Sequence, residues 1–254
     1  MNLLQIDGLT KHFGGLTALN DVHLSVATAE IVSLIGPNGA GKTTLFNLLT
    51  GIARASSGHI HFLGEKIDDK PAHGIVQRGI ARTFQNIRLF PQMTALENVM
   101  VAKHSKTSGS IFSALLRTRH FSDEERKIKE SAMEMLSFVG LHHDAQTLAK
   151  NLSYGAQRKL EIARALASEP RLLLLDEPTA GMNPTESQTV IDCIQKIRAQ
   201  GIGLILIEHQ MRVVMNVSDR ILVLDHGNKI AEGTPKEIQQ NSKVIEAYLG
   251  SAAL

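Results

Sequence analysis

The spacing of apolar positions divides the chain into strand-like regions near both ends and a helical region between them. Short apolar runs separated by turn residues are typical of strands, and they predict strands at residues 3–6, 22–26, 31–35 and 57–64. Apolar positions three and four apart are typical of helices, and they predict helices at residues 95–103, 124–139 and 158–167.

The strand-like pattern returns after residue 170. Continuous apolar runs predict buried strands at residues 172–175 and 204–207, with a helix at residues 186–199 between them. Two more runs, at residues 221–224 and 229–231, flank a Gly-Asn pair typical of a hairpin turn. We therefore expect an α/β fold interrupted by a helical insert. Residues 105–121, which mix Ser, Gly, Lys and Arg, are expected to form a loop with one short helix.

One glycine-rich stretch carries the clearest chemical signal. Residues 36–44, Gly-Pro-Asn-Gly-Ala-Gly-Lys-Thr-Thr, fit the pattern of a phosphate-binding loop between a predicted strand and an apolar helix. Backbone N–H groups and a helix N-terminus at such a turn attract anions. Lys42 would reach the β- and γ-phosphates, and the Thr43 hydroxyl would bind Mg²⁺. The alternative is a glycine-rich turn that merely joins a strand to a helix.

Two acidic residues follow the buried strand predicted at residues 172–175. Ligands of parallel sheets bind beyond the carboxyl ends of the strands, so Asp176 stands where a carboxylate can hold Mg²⁺, directly or through water. Glu177 can accept a proton from a water molecule that attacks the γ-phosphate. The alternative is a solvated acidic turn, which the phosphate loop makes the weaker interpretation.

His209 follows the buried strand at residues 204–207 in the same layout, where its imidazole can hydrogen-bond the γ-phosphate. The other histidines have no comparable position. His142 and His143 are adjacent, but partner ligands at suitable spacing are missing, so we predict no metal site there.

A second possible anion site precedes the helix predicted at residues 158–167. Ser153 and Gly155 stand at its start, where a helix N-terminus attracts negative charge. A plain N-cap by Ser153 or Asn151 is the alternative, and local physics favours it.

Composition and charge narrow the class of protein. The chain has 254 residues, a formal net charge of +2 and 43% hydrophobic residues, which is ordinary for a globular protein and too weakly basic to argue for nucleic acid. The single cysteine, Cys193, excludes an internal disulfide and indicates a reducing compartment. The first residues lack a signal-peptide pattern, and no apolar run approaches the ~20 residues that cross a bilayer. Action at a membrane would therefore require partner subunits.

Six motifs in a fixed order resemble those of the ATP-binding subunits of ABC transporters, and the resemblance covers nearly the whole chain. The phosphate loop is followed by a glutamine loop at residues 82–85, a signature at 152–157, a strand with the catalytic acid at 174–178, a D-loop at 180–184 and a switch histidine at 208–209. The resemblance implies a P-loop, RecA-like core with an antiparallel β subdomain, at residues 1–90 and 166–254. It also implies an α-helical subdomain at residues 91–165.

The resemblance further implies a head-to-tail dimer that holds two ATP molecules, with Mg²⁺, between subunits. Phe13, 29 residues before Lys42, would stack on adenine beside Ala18, although Phe13 alone would more simply be a core residue. The other contacts implied on the same chain are Asn38, Gly39, Ala40, Gly41, Lys42, Thr43 and Thr44. Ser153, Tyr154 and Gly155 would contact the opposite nucleotide. The implied catalytic residues are Glu177, His209, Gln85 and Lys42, and the implied metal ligands are Thr43, Gln85 and Asp176.

A narrower resemblance points to bacterial branched-chain amino-acid importers, which carry two different ATPase subunits; the chain resembles the larger one. Residues 12–16, 82–90, 110–113 and 246–250 and Tyr154 carry it. It implies a peripheral protein on the cytoplasmic face of the cell membrane. Its partners would be two membrane-spanning permease subunits, a second ATPase subunit and, indirectly, a periplasmic or extracellular solute-binding protein. The solute itself would be contacted by other subunits.

Three points stay open at this level. Leu89, Phe90 and Met93 would form a groove for a permease helix or, alternatively, the interior of the helical insert. The chain could instead belong to a lipopolysaccharide-type export system or to a soluble ABC ATPase without a membrane partner. Ala156 and Asn183 replace the usual Gln of the signature and Asp of the D-loop, and they favour a heterodimer over a homodimer.

Overall fold

The structure is a computed structural model that describes residues 2–104 and 119–250. The sequence predicts a loop with one short helix at residues 105–121. Residues 105–118 of that segment, with the 110–113 part of the importer resemblance, lie outside the described residues, and residues 119–121 belong to a long helix.

Two β-sheets form the framework. The first is antiparallel and has the order β2-β1-β4-β5. Its strands are β1 (Asn2–Phe13), β2 (Leu16–Ala27), β4 (Ser57–Phe62) and β5 (Glu65–Lys66). The runs predicted at residues 3–6 and 22–26 are therefore the most apolar parts of two strands of 12 residues each. These strands extend well beyond the apolar runs because they are paired with each other along most of their length.

The second sheet has six strands in the order β10-β9-β3-β8-β7-β6. They are β3 (Ile31–Ile35), β6 (Ile80–Arg82), β7 (Leu172–Asp176), β8 (Gly203–Ile207), β9 (Arg220–Asp225) and β10 (Asn228–Gly233). β10 pairs antiparallel with β9, and every other pairing is parallel. Because β3, β7 and β8 are buried throughout, their sequences are continuous apolar runs, as predicted.

Nine α-helices are described around the sheets, besides two short 3₁₀ helices at His142–Asp144 and Ala149–Asn151. The α-helices are α1 (Lys42–Leu49), α2 (Ala72–Arg78), α3 (Ala95–His104), α4 (Arg119–Phe138), α5 (Tyr154–Leu166), α6 (Pro184–Ala199), α7 (Met211–Val217), α8 (Pro235–Gln239) and α9 (Ser242–Gly250). None of the helices in the described ranges has both the length and the apolar character of a membrane-spanning segment.

Alternate residues of the central strands build two cores on opposite faces of the six-stranded sheet. Leu173 and Leu204 face one core together with residues of α3, α4, α5 and α6. Leu174 and Ile205 face the other core together with the antiparallel sheet and α1. The expected α/β architecture with an antiparallel sheet and an inserted helical region is confirmed, while the exact subdomain bounds stay a prediction.

Several predicted boundaries were wrong by a few residues, among them the starts of two helices and the position of the hairpin turn. Helix α4 begins at Arg119, not at residue 124, and α5 begins at Tyr154, not at residue 158. The Ser153 hydroxyl caps α5 by accepting a bond from the Ala156 N–H at 3.3 Å, so the helix starts at its cap. The hairpin turn was predicted at residues 227–228 but lies one residue earlier, at His226 and Gly227. Their φ angles of 44° and 80° are both positive, as a tight hairpin turn of this type requires.

Candidate functional site

The phosphate loop joins β3 to α1, and its glycines are required by close packing. Gly36 has φ +150°, and a Cβ there would lie 2.0 Å from the Leu224 carbonyl oxygen. Gly41 has φ +104°, and a Cβ there would lie 2.5 Å from the Ala18 carbonyl oxygen. Any side chain would force the loop away from β9 or β2, so these two positions hold the loop against both sheets.

Lys42 is folded back onto this loop. Its Nζ donates hydrogen bonds to the carbonyl oxygens of Gly36 at 2.6 Å and Pro37 at 2.9 Å. Burial lowers the pKa of the Lys42 ammonium, while the Glu177 and Asp176 carboxylates act to raise it. The loop therefore already positions a desolvated cation, and phosphate oxygens could replace the carbonyl contacts.

A cleft of about 610 Å³ opens over the loop. Its walls include the loop from Asn38 to Thr44, namely Asn38, Gly39, Ala40, Gly41, Lys42, Thr43 and Thr44. Phe13, Ala18, Gln85, Glu177 and His209 also line it. The structure thus gathers residues that are far apart in sequence around one cavity. A second cavity, of about 720 Å³, lies beside Gly79 and Arg171 at the amino ends of β6 and β7, and none of the predicted site residues lines it.

Phe13 stands at the surface of the cleft, not in a core. Its side chain is 51% exposed, and the Lys11 ammonium lies 4.7 Å from its ring centroid. An exposed aromatic ring in a polar cleft has a free face for stacking. The alternative that Phe13 is a core residue is therefore wrong.

Glu177 is the point where three separate segments meet. Its Oε1 accepts a hydrogen bond from Gln85 Nε2 at 3.1 Å and lies 3.1 Å from His209 Nε2. The residue has φ +50°, a left-handed conformation that is unfavourable for a residue other than glycine. Its backbone N–H donates to the Ile207 carbonyl at 2.9 Å, which fixes this turn against β8. A carboxylate, an amide and an imidazole therefore converge on one atom beside the phosphate loop.

Asp176 lies behind the cleft in a buried ion pair. Its Oδ2 is 2.8 Å from Nη2 of Arg82, and Arg82 Nη1 donates to Asn47 Oδ1 at 2.7 Å. Arg82 thus joins β6, α1 and the end of β7. Sequence reasoning missed these contacts because the partner residues are far apart in the chain. Among the described residues no cluster of three or more His, Cys, Asp or Glu side chains could hold a metal ion. The oxygen atoms of Thr43, Gln85 and Asp176 nevertheless have the hard-donor chemistry that Mg²⁺ prefers.

The predicted signature residues do not line this cleft. Ser153 caps α5, and Tyr154 is 45% exposed while its hydroxyl accepts a bond from Arg158 Nη2 at 3.0 Å. Arg158 Nη1 also donates to the Phe84 carbonyl at 2.7 Å, next to Gln85. Ser153 and Tyr154 are therefore exposed at a helix N-terminus, and Gly155 is buried beside them. This helix start is tied to the glutamine loop but is separate from the chain's own cleft.

Sequence reasoning also missed His226, which lines the cleft together with Leu16 and Thr17. The turn that carries His226 is anchored by a hydrogen bond from the Gly227 N–H to the Ala40 carbonyl at 3.1 Å. No local pattern could reveal this placement, because it depends on β9 lying next to β3 in the sheet.

The segment after Gln85 is divided between core and surface. Leu89 packs against the helical core, whereas Phe90 is 44% exposed and Met93 is also exposed. The Arg164 guanidinium lies 5.8 Å from the Phe90 ring centroid. The surface alternative therefore holds for Phe90 and Met93, and the interior alternative holds for Leu89.

A phosphate loop beside a strand-end carboxylate is the arrangement of P-loop nucleotide hydrolases, and comparison with known proteins gives the family. The model of the family "ABC transporter" matches residues 19–180. A second model, "Branched-chain amino acid ATP-binding cassette transporter", matches residues 228–253. Because the first match covers more than half of the chain, the chain belongs to the ABC transporter family of ATP-binding proteins.

Curated relatives extend this similarity over nearly the full length. The chain is 47% identical to the high-affinity branched-chain amino acid transport ATP-binding protein BraF of Pseudomonas aeruginosa, covering 98% of each protein. It is 45% identical to LivG of Escherichia coli K12, a protein of the same description, again covering 98% of each. The predicted family resemblance is confirmed, including its narrower form.

Solved structures agree with the fold. A nucleotide-free ATP-binding cassette from an ABC transporter is 33% identical, with a TM-score of 0.86 and coverage of 98% of this chain and 99% of that one. The ADP conformation of MJ1267, another such cassette, has the same values. The dimeric structure of MJ0796, a bacterial ABC transporter cassette, is 26% identical with a TM-score of 0.78, covering 91% and 98%. The predicted ATP-binding-cassette fold is confirmed.

Proposed function

We propose that this chain is an ATPase subunit that drives import of branched-chain or related amino acids through separate membrane subunits. The observation that carries the hydrolytic part is the convergence of Gln85 and His209 on Glu177 beside the phosphate loop. The transport part is supported by near full-length similarity to BraF and LivG and by the C-terminal match to the branched-chain model. That C-terminal match favours an importer over an export ATPase.

The cleft suits ATP along its length. Phe13 and Ala18 would hold the adenine, the loop from Asn38 to Thr44 would surround the phosphates, and Lys42 would contact the β- and γ-phosphates. Mg²⁺ would neutralise phosphate charge, held by Thr43, Gln85 and Asp176. Glu177 would accept the proton of the attacking water, and His209 would hydrogen-bond the γ-phosphate.

The signature residues would complete the site of a second subunit. Ser153 and Tyr154 are exposed at a helix N-terminus, where phosphate is attracted, with Gly155 buried next to them. All three residues are away from the chain's own cleft. We infer a head-to-tail dimer that closes on ATP and opens after hydrolysis.

The second subunit is proposed to be a different ATPase. Ala156 lacks the amide usually present in the signature, and Asn183 lacks the usual carboxylate charge of the D-loop. Asn183 keeps the helix-capping role, since its Oδ1 accepts bonds from the N–H groups of Thr185 at 3.0 Å and Glu186 at 2.9 Å. The changes therefore affect the partner-facing chemistry without disturbing α6.

The membrane partners are proposed to be two permease subunits, which would place the chain at the cytoplasmic face of the cell membrane. The exposed Phe90 and Met93 would receive a permease helix. A solute-binding protein would act on the outer side of the complex.

A reconstituted transporter tests this function. The chain, its permease subunits and the second ATPase subunit would be reconstituted in vesicles with the ATPase subunits and ATP inside. The solute-binding protein and labelled leucine would be added outside, and leucine uptake would be measured. We expect uptake that depends on ATP and disappears in the Glu177→Gln complex, with glutamate as the control solute. ATP hydrolysis without stimulation by leucine, isoleucine or valine would contradict the importer assignment.

A further inference from the structure

Glu208 is a buried acid that the proposed mechanism does not use. It stands between the end of β8 and His209, and it is only 2% exposed. Its Oε1 accepts hydrogen bonds from the Thr179 N–H at 3.0 Å and the Thr179 hydroxyl at 2.6 Å. Its Oε2 accepts a bond from the His209 N–H at 3.1 Å. One side chain therefore ties the Thr179 turn to the backbone of the switch histidine.

Burying the Glu208 side chain without these hydrogen bonds would cost free energy. Removing a carboxylate from water is unfavourable unless hydrogen bonds or a cation compensate. In the described part of the chain Glu208 has no ion pair, in contrast to Asp176, which pairs with Arg82. Four donors instead satisfy its two oxygen atoms: the N–H and hydroxyl of Thr179 and the N–H groups of His209 and Gln210. These hydrogen bonds offset the cost of burying Glu208.

The two segments that Glu208 joins both belong to the candidate site. Thr179 is fully buried and lies between Glu177 and the D-loop, and its carbonyl accepts bonds from Met182 N–H at 3.2 Å and Gln210 Nε2 at 3.3 Å. On the other side, the His209 ring meets Glu177 at 3.1 Å. Glu208 and Thr179 themselves do not line the cleft.

We propose that Glu208 is a positioning residue that links the D-loop, through Thr179, to the orientation of His209 toward Glu177. The link rests on the proposed function, in which Glu177 and His209 act on ATP and the D-loop faces a partner subunit. A partner that moves residues 180–183 moves Thr179, and the shared Glu208 carboxylate transmits that movement to the His209 backbone. The dimer interface and the hydrolytic residue are then connected within one chain.

The test separates positioning from simple stability. Glu208→Gln keeps the shape but replaces one acceptor with an amide donor that faces N–H groups. Thr179→Val removes the hydroxyl, and Thr179→Ser restores it. Ser168→Ala is the matched control, because it removes another buried hydroxyl, bonded to the Ala165 carbonyl at 2.7 Å, away from the site.

The first readout compares two quantities for the assembled transporter: the kcat of steady-state ATP hydrolysis and the Kd for ATP. We expect Glu208→Gln and Thr179→Val to lower kcat by about 10- to 100-fold, since small misplacements of reacting groups have effects of this size. The Kd for ATP should change by less than about twofold, because neither residue touches the cleft. Thr179→Ser should recover most of the kcat.

The second readout is the His209 imidazole, followed by NMR of protein labelled at its histidines and assigned with His209→Gln. We expect the ring-nitrogen shifts of His209 to change in Glu208→Gln and Thr179→Val and to stay unchanged in Ser168→Ala. If Glu208→Gln fails to fold, the Thr179→Val and Thr179→Ser pair decides.

Two results would overturn the proposal: wild-type kcat in the Glu208→Gln and Thr179→Val proteins, or a kcat loss that Ser168→Ala matches without any change at His209. Hydrolysis that persists in Glu177→Gln would instead contradict the proposed function, so the two failures are distinguishable.

Discussion

The nucleotide cleft and the signature end of α5 differ in how many of their functional side chains have partners within the chain. In the cleft, Lys42 is bonded to its own loop and Glu177 is held by Gln85 and His209. At the signature, Ser153 and Tyr154 are exposed, and only the helix cap uses the Ser153 hydroxyl. The cleft is thus held in place by contacts within the chain, whereas in the proposed dimer the signature would face the nucleotide of a partner subunit. On that proposal, each chain carries one half of each of two sites.

The largest expected effect concerns Glu177 in the nucleotide cleft. Glu177→Gln should lower ATP turnover by about 100- to 10,000-fold, because glutamine keeps the shape but cannot act as a general base. ATP binding should persist, and the ATP-bound dimer should accumulate. Steady-state hydrolysis and a binding titration on the same preparation check this, and near wild-type turnover would contradict the role of Glu177.

Lys42→Ala should reduce nucleotide affinity by about 2–3 kcal/mol, since a charge-assisted contact to phosphate is lost. Lys70→Ala, at a partly exposed lysine that pairs with Glu65, is the control and should bind ATP normally. Calorimetric titration with ATP measures both, and equal affinity of the two variants would exclude phosphate binding by Lys42.

Phe13→Ala should weaken ATP binding by about 1–3 kcal/mol, the value of one base–aromatic stacking contact. Phe13→Tyr keeps the ring and should bind nearly as well as the wild type. A titration in which Phe13→Ala loses no affinity would mean that adenine binds elsewhere in the cleft.

The smallest effect on the isolated chain is expected at Phe90, which lies outside both the cleft and the signature. Phe90→Asp should change the free energy of unfolding by less than about 1 kcal/mol, because Phe90 is 44% exposed and belongs to no buried cluster of the described residues. It should nevertheless reduce assembly with permease subunits, while Val101→Asp, at an exposed apolar residue of α3, serves as a control. Unfolding of Phe90→Asp would show that the ring has an interior role.

The cleft was the more predictable half because its signals are local. The loop at residues 36–44, the run of leucines before Asp176 and the run before His209 each carry their own pattern, and parallel strands bring their carboxyl ends to one edge. The start of α5 was also available in principle, since Ser153 is a strong N-cap residue.

Contacts between distant segments were not predictable in the same way. The pairing of Arg82 with Asp176, the bonds of Glu208 to Thr179 and the entry of His226 into the cleft each depend on strand order. Strand order is set by packing of whole elements, and no spacing within one segment encodes it.

The half-site account is tested most directly by asking whether this chain can work without a different ATPase. The chain would be co-expressed with its membrane subunits alone, and assembly and solute-stimulated ATP hydrolysis would be measured. The account predicts an incomplete complex with weak hydrolysis, and an isolated chain that is largely monomeric without ATP. A fully assembled complex with vigorous coupled hydrolysis would contradict the heterodimer and show that Ala156 and Asn183 are tolerated in a homodimer.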